Sequence, residues 1–454
     1  MNYLLTTYCL YLALFRQRKM ALLFPILCFF TPKGLGLLDV SSLPYLSVNR
    51  ALVVVMVVCF CLRVMSHGFQ IRKTSFPLTR PFVLLGAAYL AAFALNPATW
   101  SSDAVTALMD FSELFFPCYF IWYFCKSPDE AERVLKCFYV VGVLVSLYGT
   151  FAYLMHFNPY FDYLKQTTPT GRVAATDYND SLRGLRAVGT LSHPITYGAF
   201  QTMTFLVGVF LMRGNRSAVR LLLFLGAQMI LFAGIVVTNS RTPLVYAFLS
   251  LLIFTCFARV RDKILVAQIA VVALVIGSLV GLEYVEKLAD FVSSVASDSS
   301  TSSQNGSSLQ MRAGQLLVAW KFFTNAPIFG GGVSATRSII ASGAYPDFYN
   351  AESALFQWAI DLGIVGLAAY SALFIQVFRT SGRLMQTRFS RAVLYATIAG
   401  YVVFVLATGV LETMQLFLTI IVLLFIAGGK ERPRQSHSPS TSGYDRLVIP
   451  ASGR

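Results

Sequence analysis

The chain has 454 residues, of which 56% are hydrophobic and only 13% are charged. Soluble domains carry roughly 25% charged residues, so this composition excludes an ordinary soluble protein and predicts a polytopic membrane protein. The net charge of +15 does not indicate nucleic-acid binding. The basic residues form short clusters between apolar runs, and no basic stripe is interleaved with aromatic residues.

Long apolar runs follow one another along almost the whole chain. A membrane-spanning helix needs about 20 mainly apolar residues, and about twelve runs meet this requirement. The predicted spans are 20–38, 49–65, 81–95, 104–125, 132–155, 193–212, 221–238, 243–258, 264–284, 351–378, 392–410 and 413–428. The shorter apolar segment 2–15 is interpreted as an interfacial helix, with an additional span as the alternative. The pattern predicts an all-α transmembrane helical bundle.

Basic clusters occupy alternate connections between the predicted spans. They lie at 16–19, 72–80, 126–133, 213–220, 259–263, 379–391 and 430–435. Lys and Arg are enriched in cytoplasmic loops, so this alternation predicts that both termini are cytoplasmic. The chain then divides into spans one to nine in 1–284, with a first periplasmic loop at 156–192, a large and partly helical periplasmic loop at 285–350, spans ten to twelve in 351–429, and a disordered cytoplasmic tail at 430–454.

Neither the cysteines nor the outer loops indicate a disulfide framework or a bound metal. All eight cysteines lie in apolar runs, unlike those of a disulfide-rich secreted domain. The outer loops contain no Asp-x-Asp motif and no His-rich cluster, so we expect no divalent metal and no cofactor. The first apolar stretch lacks a small-residue cleavage site and is not expected to be a signal peptide.

Several arginines lie on the predicted outer side, where positive charge is disfavoured. Arg183 and Arg186 precede the sixth span. Arg241 lies in the short turn between the seventh and eighth spans, and Arg312 begins an amphipathic helix in the large loop. An arginine near a span end can extend to lipid phosphates. If two or more converge, they form a site for a diphosphate, because guanidinium groups bind phosphate oxygens in bidentate geometry.

Glu352 is an acidic residue at the start of the tenth predicted span. A carboxylate there is costly without a partner or a function. It either caps the helix N-terminus, where the macrodipole favours negative charge, or takes part in the chemistry of a site. The neighbouring Asn350, Ser353 and Gln357 supply further polar groups, so we favour a functional role.

Two other motifs have structural interpretations. His193 precedes Pro194 at a helix start, where it is either a structural residue or a ligand or base. The glycine run PIFGGG at 327–332 lacks the preceding strand and the following Lys-Ser/Thr of a phosphate-binding loop. It therefore predicts a tight turn after the loop helix.

Four segments occur in a defined order: RAVGTLSHPITYG at 186–198, NSR at 239–241, RAGQLLVAWKFFTNAPIFGGG at 312–332 and ESALFQWAIDLGIVG at 352–366. Together with the predicted spans and the large late loop, they resemble the O-antigen ligase and Wzy-type polysaccharide polymerase family over nearly the whole chain. The resemblance implies a GT-C-like bundle in the bacterial inner membrane, with its active site facing the periplasm. The chain departs from the ligase pattern at one place, where Glu352 and Ser353 replace His and Asn.

The resemblance implies transfer of a glycan from undecaprenyl pyrophosphate to an acceptor sugar hydroxyl, without a metal. By position, Arg241 and Arg312 would hold the diphosphate and Glu352 would accept the hydroxyl proton. The remaining candidate substrate-binding residues are Arg183, Arg186, His193, Asn350, Ser353 and Gln357. Glu352 in the histidine position favours polymerisation of exopolysaccharide or O-antigen repeat units over ligation to lipid A core or to protein. The expected partners are the lipid-linked oligosaccharide, an acceptor glycan or glycolipid, membrane lipids, and chain-length regulators or export proteins.

A lipid-linked substrate further implies a hydrophobic cleft that opens to the outer leaflet and is covered by the large loop as a mobile lid. A secondary transporter is the alternative from another class, because transporters carry acidic residues within their spans. Asp110 and Glu113 in the fourth span fit that alternative, or else they pair with a neighbouring helix.

Overall fold

The structure, a computed structural model, describes most of the chain. The described residues are 2–31, 36–38, 46–67, 75–97, 100–167, 179–180, 184–213, 217–265, 267–269, 271, 309–348, 351–409 and 412–429. Most of the predicted ninth span, the serine-rich part of the large loop, the C-terminal tail, Arg183 and Asn350 lie outside them.

The described chain is a bundle of helices with two small pairs of strands. The helices are α1 (Asn2–Phe15), α2 (Gln17–Leu27), α3 (Val48–His67), α4 (Thr79–Ala94), α5 (Trp100–Phe124), α6 (Pro128–Leu154), α7 (Pro159–Thr167), α8 (Pro194–Leu211), α9 (Ala218–Val236), α10 (Arg241–Phe257), α11 (Leu309–Asn325), α12 (Ala335–Ser342), α13 (Ala354–Leu384), α14 (Arg388–Ala407) and α15 (Glu412–Gly428), with a 3-10 turn at Pro346–Phe348. Strand β1 (Gly36–Leu38) pairs antiparallel with β2 (Leu46–Ser47), and β3 (Asn179–Asp180) with β4 (Gly184–Leu185). The predicted all-α class is confirmed.

Many of these helices have the dimensions of membrane spans. Within the described ranges, seven helices are long and apolar enough to cross a membrane. Shorter apolar helices accompany them at Leu5–Phe15, Thr79–Ala94, Arg241–Phe257 and Thr413–Gly428. The chain is therefore a polytopic membrane protein, while the predicted total of about twelve spans stays a prediction.

The prediction of a first span at 20–38 is wrong. Helix α2 ends at Leu27, and Gly36–Leu38 form strand β1. Pro25 inside α2 has no N–H to donate, and Pro32 and Gly34 follow the helix in sequence as turn-forming residues. The segment is apolar enough for a span, but the helix ends at Leu27 and is not continuous to residue 38. The preceding segment forms α1, which packs against α2 and α3.

Helix α8 lies at the centre of the bundle. Every residue from Thr196 to Leu211 is buried, and the helix packs against α6, α9, α10, α14 and α15. Small residues allow close helix approach in membranes. A Cβ on Gly198 would lie 2.6 Å from Pro243 of α10, so glycine is required for this close contact.

Helices α10 and α14 run antiparallel and define one end of the bundle. The Tyr246 and Phe404 ring centroids are 5.7 Å apart, and those of Phe254 and Phe389 are 5.5 Å apart. The start of α10 therefore lies beside the end of α14. We call this end, where α8, α10 and α13 begin, the loop end.

Basic residues lie at the opposite end of the bundle. Arg213, just after α8, pairs with Glu132 near the start of α6 at 2.7 Å. Arg388, at the start of α14, donates to the carbonyl of Phe257, at the end of α10 (2.9 Å). Basic residues in these connections are the pattern from which the orientation of the chain in the membrane was predicted. Which end faces the cytoplasm stays a prediction.

A break at Gly363 divides α13, and with it the predicted tenth span. Gly363 has φ 63° and ψ −157°, a conformation essentially restricted to glycine. The glycine run packs into the break: Ile364 donates its N–H to the Pro327 carbonyl (2.9 Å), and Gly331 donates to the Ile360 carbonyl (2.8 Å). The run forms a tight turn, whose backbone replaces hydrogen bonds that the broken helix cannot make.

Two carboxylates attach helix α12 of the large loop to the bundle. Asp103 of α5 is fully buried and accepts the N–H groups of Val333 and Ser334, both at 3.1 Å. Asp361 of α13 accepts the N–H of Thr336 at 2.7 Å. Negative charge at a helix N-terminus satisfies free N–H groups and is favoured by the macrodipole. The described second half of the large loop is therefore fixed to α5 and α13.

Candidate functional site

Glu352 and Arg312 form an ion pair at the loop end. Arg312 Nε lies 3.6 Å from Glu352 Oε2, with the two side chains 48% and 23% exposed. This distance is that of an ion pair rather than of a close hydrogen bond. The pair joins helix α11 of the large loop to the residue just before α13, and both charged groups remain accessible to a substrate.

Ser353, and not Glu352, caps α13. The Ser353 hydroxyl accepts the N–H of Leu355 (3.2 Å) and donates to the Leu406 carbonyl of α14 (2.7 Å). Serine is a preferred N-cap residue because its oxygen satisfies a free N–H of the first turn. The alternative that Glu352 is present only to cap the helix is therefore weakened.

Gln315 holds the backbone of Glu352 in place, and sequence reasoning missed it. Gln315 is fully buried, and its Oε1 accepts the N–H of Glu352 at 3.2 Å. It follows Arg312 by three residues on α11, and residues at this spacing share one helix face. The signal in the sequence was a polar side chain one turn after Arg312 on the same helix.

Arg186 stabilises the turn that precedes Arg241. Its Nη2 donates to Ser240 Oγ at 2.6 Å, and its Nε donates to the Thr238 carbonyl at 3.2 Å. Asn239 in the same turn has φ 48°, a left-handed conformation that asparagine tolerates. Arg186 thus helps to position Arg241, whose own side chain is exposed at the first position of α10.

Helix packing places Arg241 at the same end as the Arg312–Glu352 pair. Arg241 begins α10, which runs antiparallel to α14. The last turn of α14 holds Ser353 through the Leu406 carbonyl. The three candidate catalytic residues therefore lie at the same end of the bundle. Arg312 and Glu352 are in direct contact, whereas Arg241 begins α10, which packs against α14.

His193 is the N-cap of α8. Its Nδ1 accepts the N–H of Ile195 at 3.1 Å. Burial, and secondarily the nearby charge of Arg186, lower the pKa of His193 from 6.5 to about 4. The imidazole is therefore neutral at pH 7 and is a weak base. This geometry favours the structural alternative for His193.

Gln357 presents a polar group that the described chain does not satisfy. Its Oε1 is buried and has no hydrogen-bond partner among the described residues. Its side chain faces Gly409 beyond α14, where an added Cβ would lie 3.3 Å from Gln357 Nε2. An unpaired buried oxygen is costly, so Gln357 is available to a ligand. Within the described ranges, no three His, Cys, Asp or Glu side chains form a group that would hold a metal ion.

Asp110 and Glu113, the acidic residues of the transporter alternative, pair with a neighbouring helix. Arg50 of α3 contacts Asp110 through Nη2 and Glu113 through Nε, each at 2.8 Å. The structure thus shows the second of the two interpretations drawn for these residues from the sequence.

Residues 202–371 match the family model described as O-antigen ligase. The match begins within α8 and ends within α13, so it contains Arg241, Arg312 and Glu352. No curated protein matches the chain significantly. The match confirms the resemblance drawn from the sequence: the chain is a polytopic membrane protein, and its residues 202–371 are similar to the O-antigen ligase family.

Proposed function

We propose that this protein transfers a glycan from undecaprenyl pyrophosphate to an acceptor sugar hydroxyl at the outer face of the bacterial inner membrane. The family match supports a membrane glycan transferase. The observation that carries the proposal is the Arg312–Glu352 contact at the loop end, because it joins a diphosphate-binding group to a proton acceptor.

In the proposed reaction, Arg241 and Arg312 bind the diphosphate of the donor. The bond between the anomeric carbon and the phosphate oxygen breaks, and negative charge develops on the leaving diphosphate. Preorganised cations stabilise such developing charge better than water does. A diphosphate can also take over the Arg312 guanidinium from Glu352, since Arg312 is half exposed and the ion pair is long.

Glu352 then acts on the acceptor. As the acceptor oxygen bonds to the anomeric carbon, its proton passes to the carboxylate, which is the role of a general base. Once the diphosphate has taken over Arg312, the Glu352 carboxylate is free to face the acceptor. The diphosphate and the carboxylate then do not compete for the same guanidinium group. Gln357 is a further candidate for holding sugar hydroxyls, because its buried Oε1 lacks a partner in the described chain.

Within the family, we favour polymerisation of exopolysaccharide or O-antigen repeat units. Glu352 stands in the position where ligases carry histidine, which supports a polymerase over a lipid A core ligase or a protein glycan ligase. The basic residues at the far end of the bundle support cytoplasmic termini and a periplasmic site. The partners are then the lipid-linked donor, an acceptor glycan or glycolipid and membrane lipids, with chain-length regulators or export proteins as further candidates.

The test is deletion of the gene, followed by analysis of lipid-linked and surface glycans. Loss of long chains, with single repeats retained on the carrier, supports polymerisation. Full-length polymer that accumulates on its carrier, with none on lipid A, identifies a ligase instead. Unchanged glycans together with altered uptake of a small solute would refute both readings and favour transport.

A further inference from the structure

A second polar space lies within the bundle. A cavity of about 100 Å³ is lined by residues of β2, α3, α4, α5, α8, α12, α13 and α15, with the turn after α2 and the segment before α8. We call it the polar cavity. Its described lining includes none of Arg241, Arg312 and Glu352. Holding one water takes roughly 10–15 Å³, so the polar cavity has room for several waters or for one sugar ring.

The charges around the polar cavity balance one another. Asp110 and Glu113 line it, and Arg50 behind them pairs with both carboxylates. Arg337 of α12 also lines it and lies 3.4 Å from Asp110 Oδ2. Two acidic groups thus face two guanidinium groups. A diphosphate would add negative charge to a space whose two guanidinium groups already pair with carboxylates, whereas a neutral ligand rich in hydroxyl groups would find both donors and acceptors.

Two polar side chains in the cavity wall have unused hydrogen-bonding groups. Thr196 of α8 is only 3% exposed, and its hydroxyl has no hydrogen-bond partner among the described residues. Gln415 of α15 likewise has an unpartnered, buried Nε2. Both side chains line the polar cavity. Buried polar groups are rarely left unpaired in native proteins, so these two groups indicate a ligand or ordered water in the space between them.

Two tyrosines of the cavity wall are held by contacts with each other and with a neighbouring ring. The hydroxyl oxygens of Tyr89 and Tyr370 lie 3.0 Å apart in a hydrogen bond, and both residues line the cavity. The Tyr370 ring stacks on Trp358 with 4.0 Å between centroids. A wall held in this way is ordered before a ligand arrives, which lowers the entropic cost of binding.

We propose that the polar cavity binds one neutral monosaccharide unit, apart from the diphosphate held by Arg241 and Arg312. The assignment of that sugar to a glycan substrate rests on the proposed function, but the binding itself does not. Helix α12 contributes Arg337 to the cavity, and Asp361 of α13 holds the N-terminus of the same helix.

The test measures binding of methyl glycosides of glucose, galactose, mannose, rhamnose and N-acetylglucosamine to the purified full-length chain in detergent. Saturation-transfer NMR detects binding, and titration gives the Kd. We expect at least one glycoside to bind. If none binds, the cavity holds water only and the inference is overturned, whatever the cells show for glycan transfer.

Matched threonine variants locate the binding. Thr196→Val keeps the side-chain volume and removes the unpartnered hydroxyl, so the melting temperature should not fall. The Kd should rise about five- to tenfold, which corresponds to the loss of one neutral hydrogen bond. Thr204→Val on the same helix is the control, because the buried Thr204 hydroxyl already donates to the Phe200 carbonyl at 2.8 Å. It should melt lower and bind sugar normally.

Equal Kd values for Thr196→Val and the unaltered chain would refute the assignment, as would a fall in melting temperature that matches that of Thr204→Val. Gln415→Met provides a second variant that removes a polar group from the same cavity, and it should also weaken binding. Arg312→Ala separates the two proposals. Loss of glycan transfer with sugar binding retained supports both, whereas sugar binding with transfer retained contradicts only the proposed function.

Discussion

Replacing Arg312 by alanine removes a guanidinium group that lies 3.6 Å from the Glu352 carboxylate. The side chain is 48% exposed, and an ion pair at such a surface contributes at most about 1 kcal/mol to stability. The variant should therefore insert and fold like the unaltered chain. The loss should appear in the reaction, because the cation is proposed to act on charge that develops as the glycosidic bond breaks.

The expected effect on rate is large. Removal of one preorganised donor from a site of developing negative charge costs about 10²–10³ in kcat, or about 2.7–4 kcal/mol. The transfer rate of Arg312→Lys should lie between those of Arg312→Ala and the unaltered chain, because lysine keeps the charge but cannot form bidentate contacts. Lys321→Ala is the control on the same helix. Lys321 is exposed and donates to the Tyr345 hydroxyl at 3.0 Å, so its loss should leave transfer intact.

The assay combines three measurements on each variant. Amounts of protein in the membrane and melting temperatures in detergent report folding, and transfer from a lipid-linked donor reports the reaction. Complementation of the deletion strain reports surface glycan length. The reasoning is refuted if Arg312→Ala retains most of the transfer rate, or if Lys321→Ala loses as much.

Three further results are expected. Glu352→Gln should abolish transfer but leave the start of α13 intact, because Ser353 supplies the cap. Partial activity of Glu352→Asp would support the role of Glu352 as a base. Equal transfer rates for Glu352→Gln and the unaltered chain would exclude that role. Gly363→Ala should lower the melting temperature far more than Gly343→Ala: both glycines have positive φ, but a Cβ on Gly363 would lie 2.6 Å from the Ile328 backbone, whereas Gly343 faces open space. Because the pKa of His193 is lowered from 6.5 to about 4 in the folded protein, only the unfolded state takes up the proton between these pH values. The free energy of unfolding should therefore decrease as the pH falls from 6.5 towards 4. His193→Asn, which keeps a capping side chain, should remove about 3 kcal/mol of this acid sensitivity at most, and parallel stability–pH curves for the two proteins would contradict the assignment.

The membrane helices and the candidate pair were within reach of sequence reasoning, because both depend on local patterns. Apolar runs of span length predict helices wherever no breaker interrupts them, and the failure at 20–38 coincides with Pro25 and the residues after α2. Glu352 and Arg312 were predicted as site residues because a carboxylate at the start of a membrane span is costly and positive charge is disfavoured on the outer side.

Contacts between distant parts of the chain were out of reach. Asp103 binds the N-terminus of α12 across 231 residues, and no spacing in the sequence links an acidic residue just before the fourth predicted span to that helix. The break at Gly363 was likewise hidden, since the glycine lies inside a predicted span of sufficient length for one continuous helix. The pairing of Asp110 and Glu113 with Arg50 was foreseen only as one of two alternatives.

The attachment of the glycine turn to the broken helix α13 bears on how a bulky lipid-linked substrate can enter. To swing away as a flap, this part of the large loop would have to expose the backbone groups that join Gly331 to Ile360 and Pro327 to Ile364, and to abandon Asp103 as well. Buried backbone groups left without a partner are costly. We therefore expect the turn and α12 to act as a fixed wall, and the carrier lipid to approach sideways from the bilayer between helices.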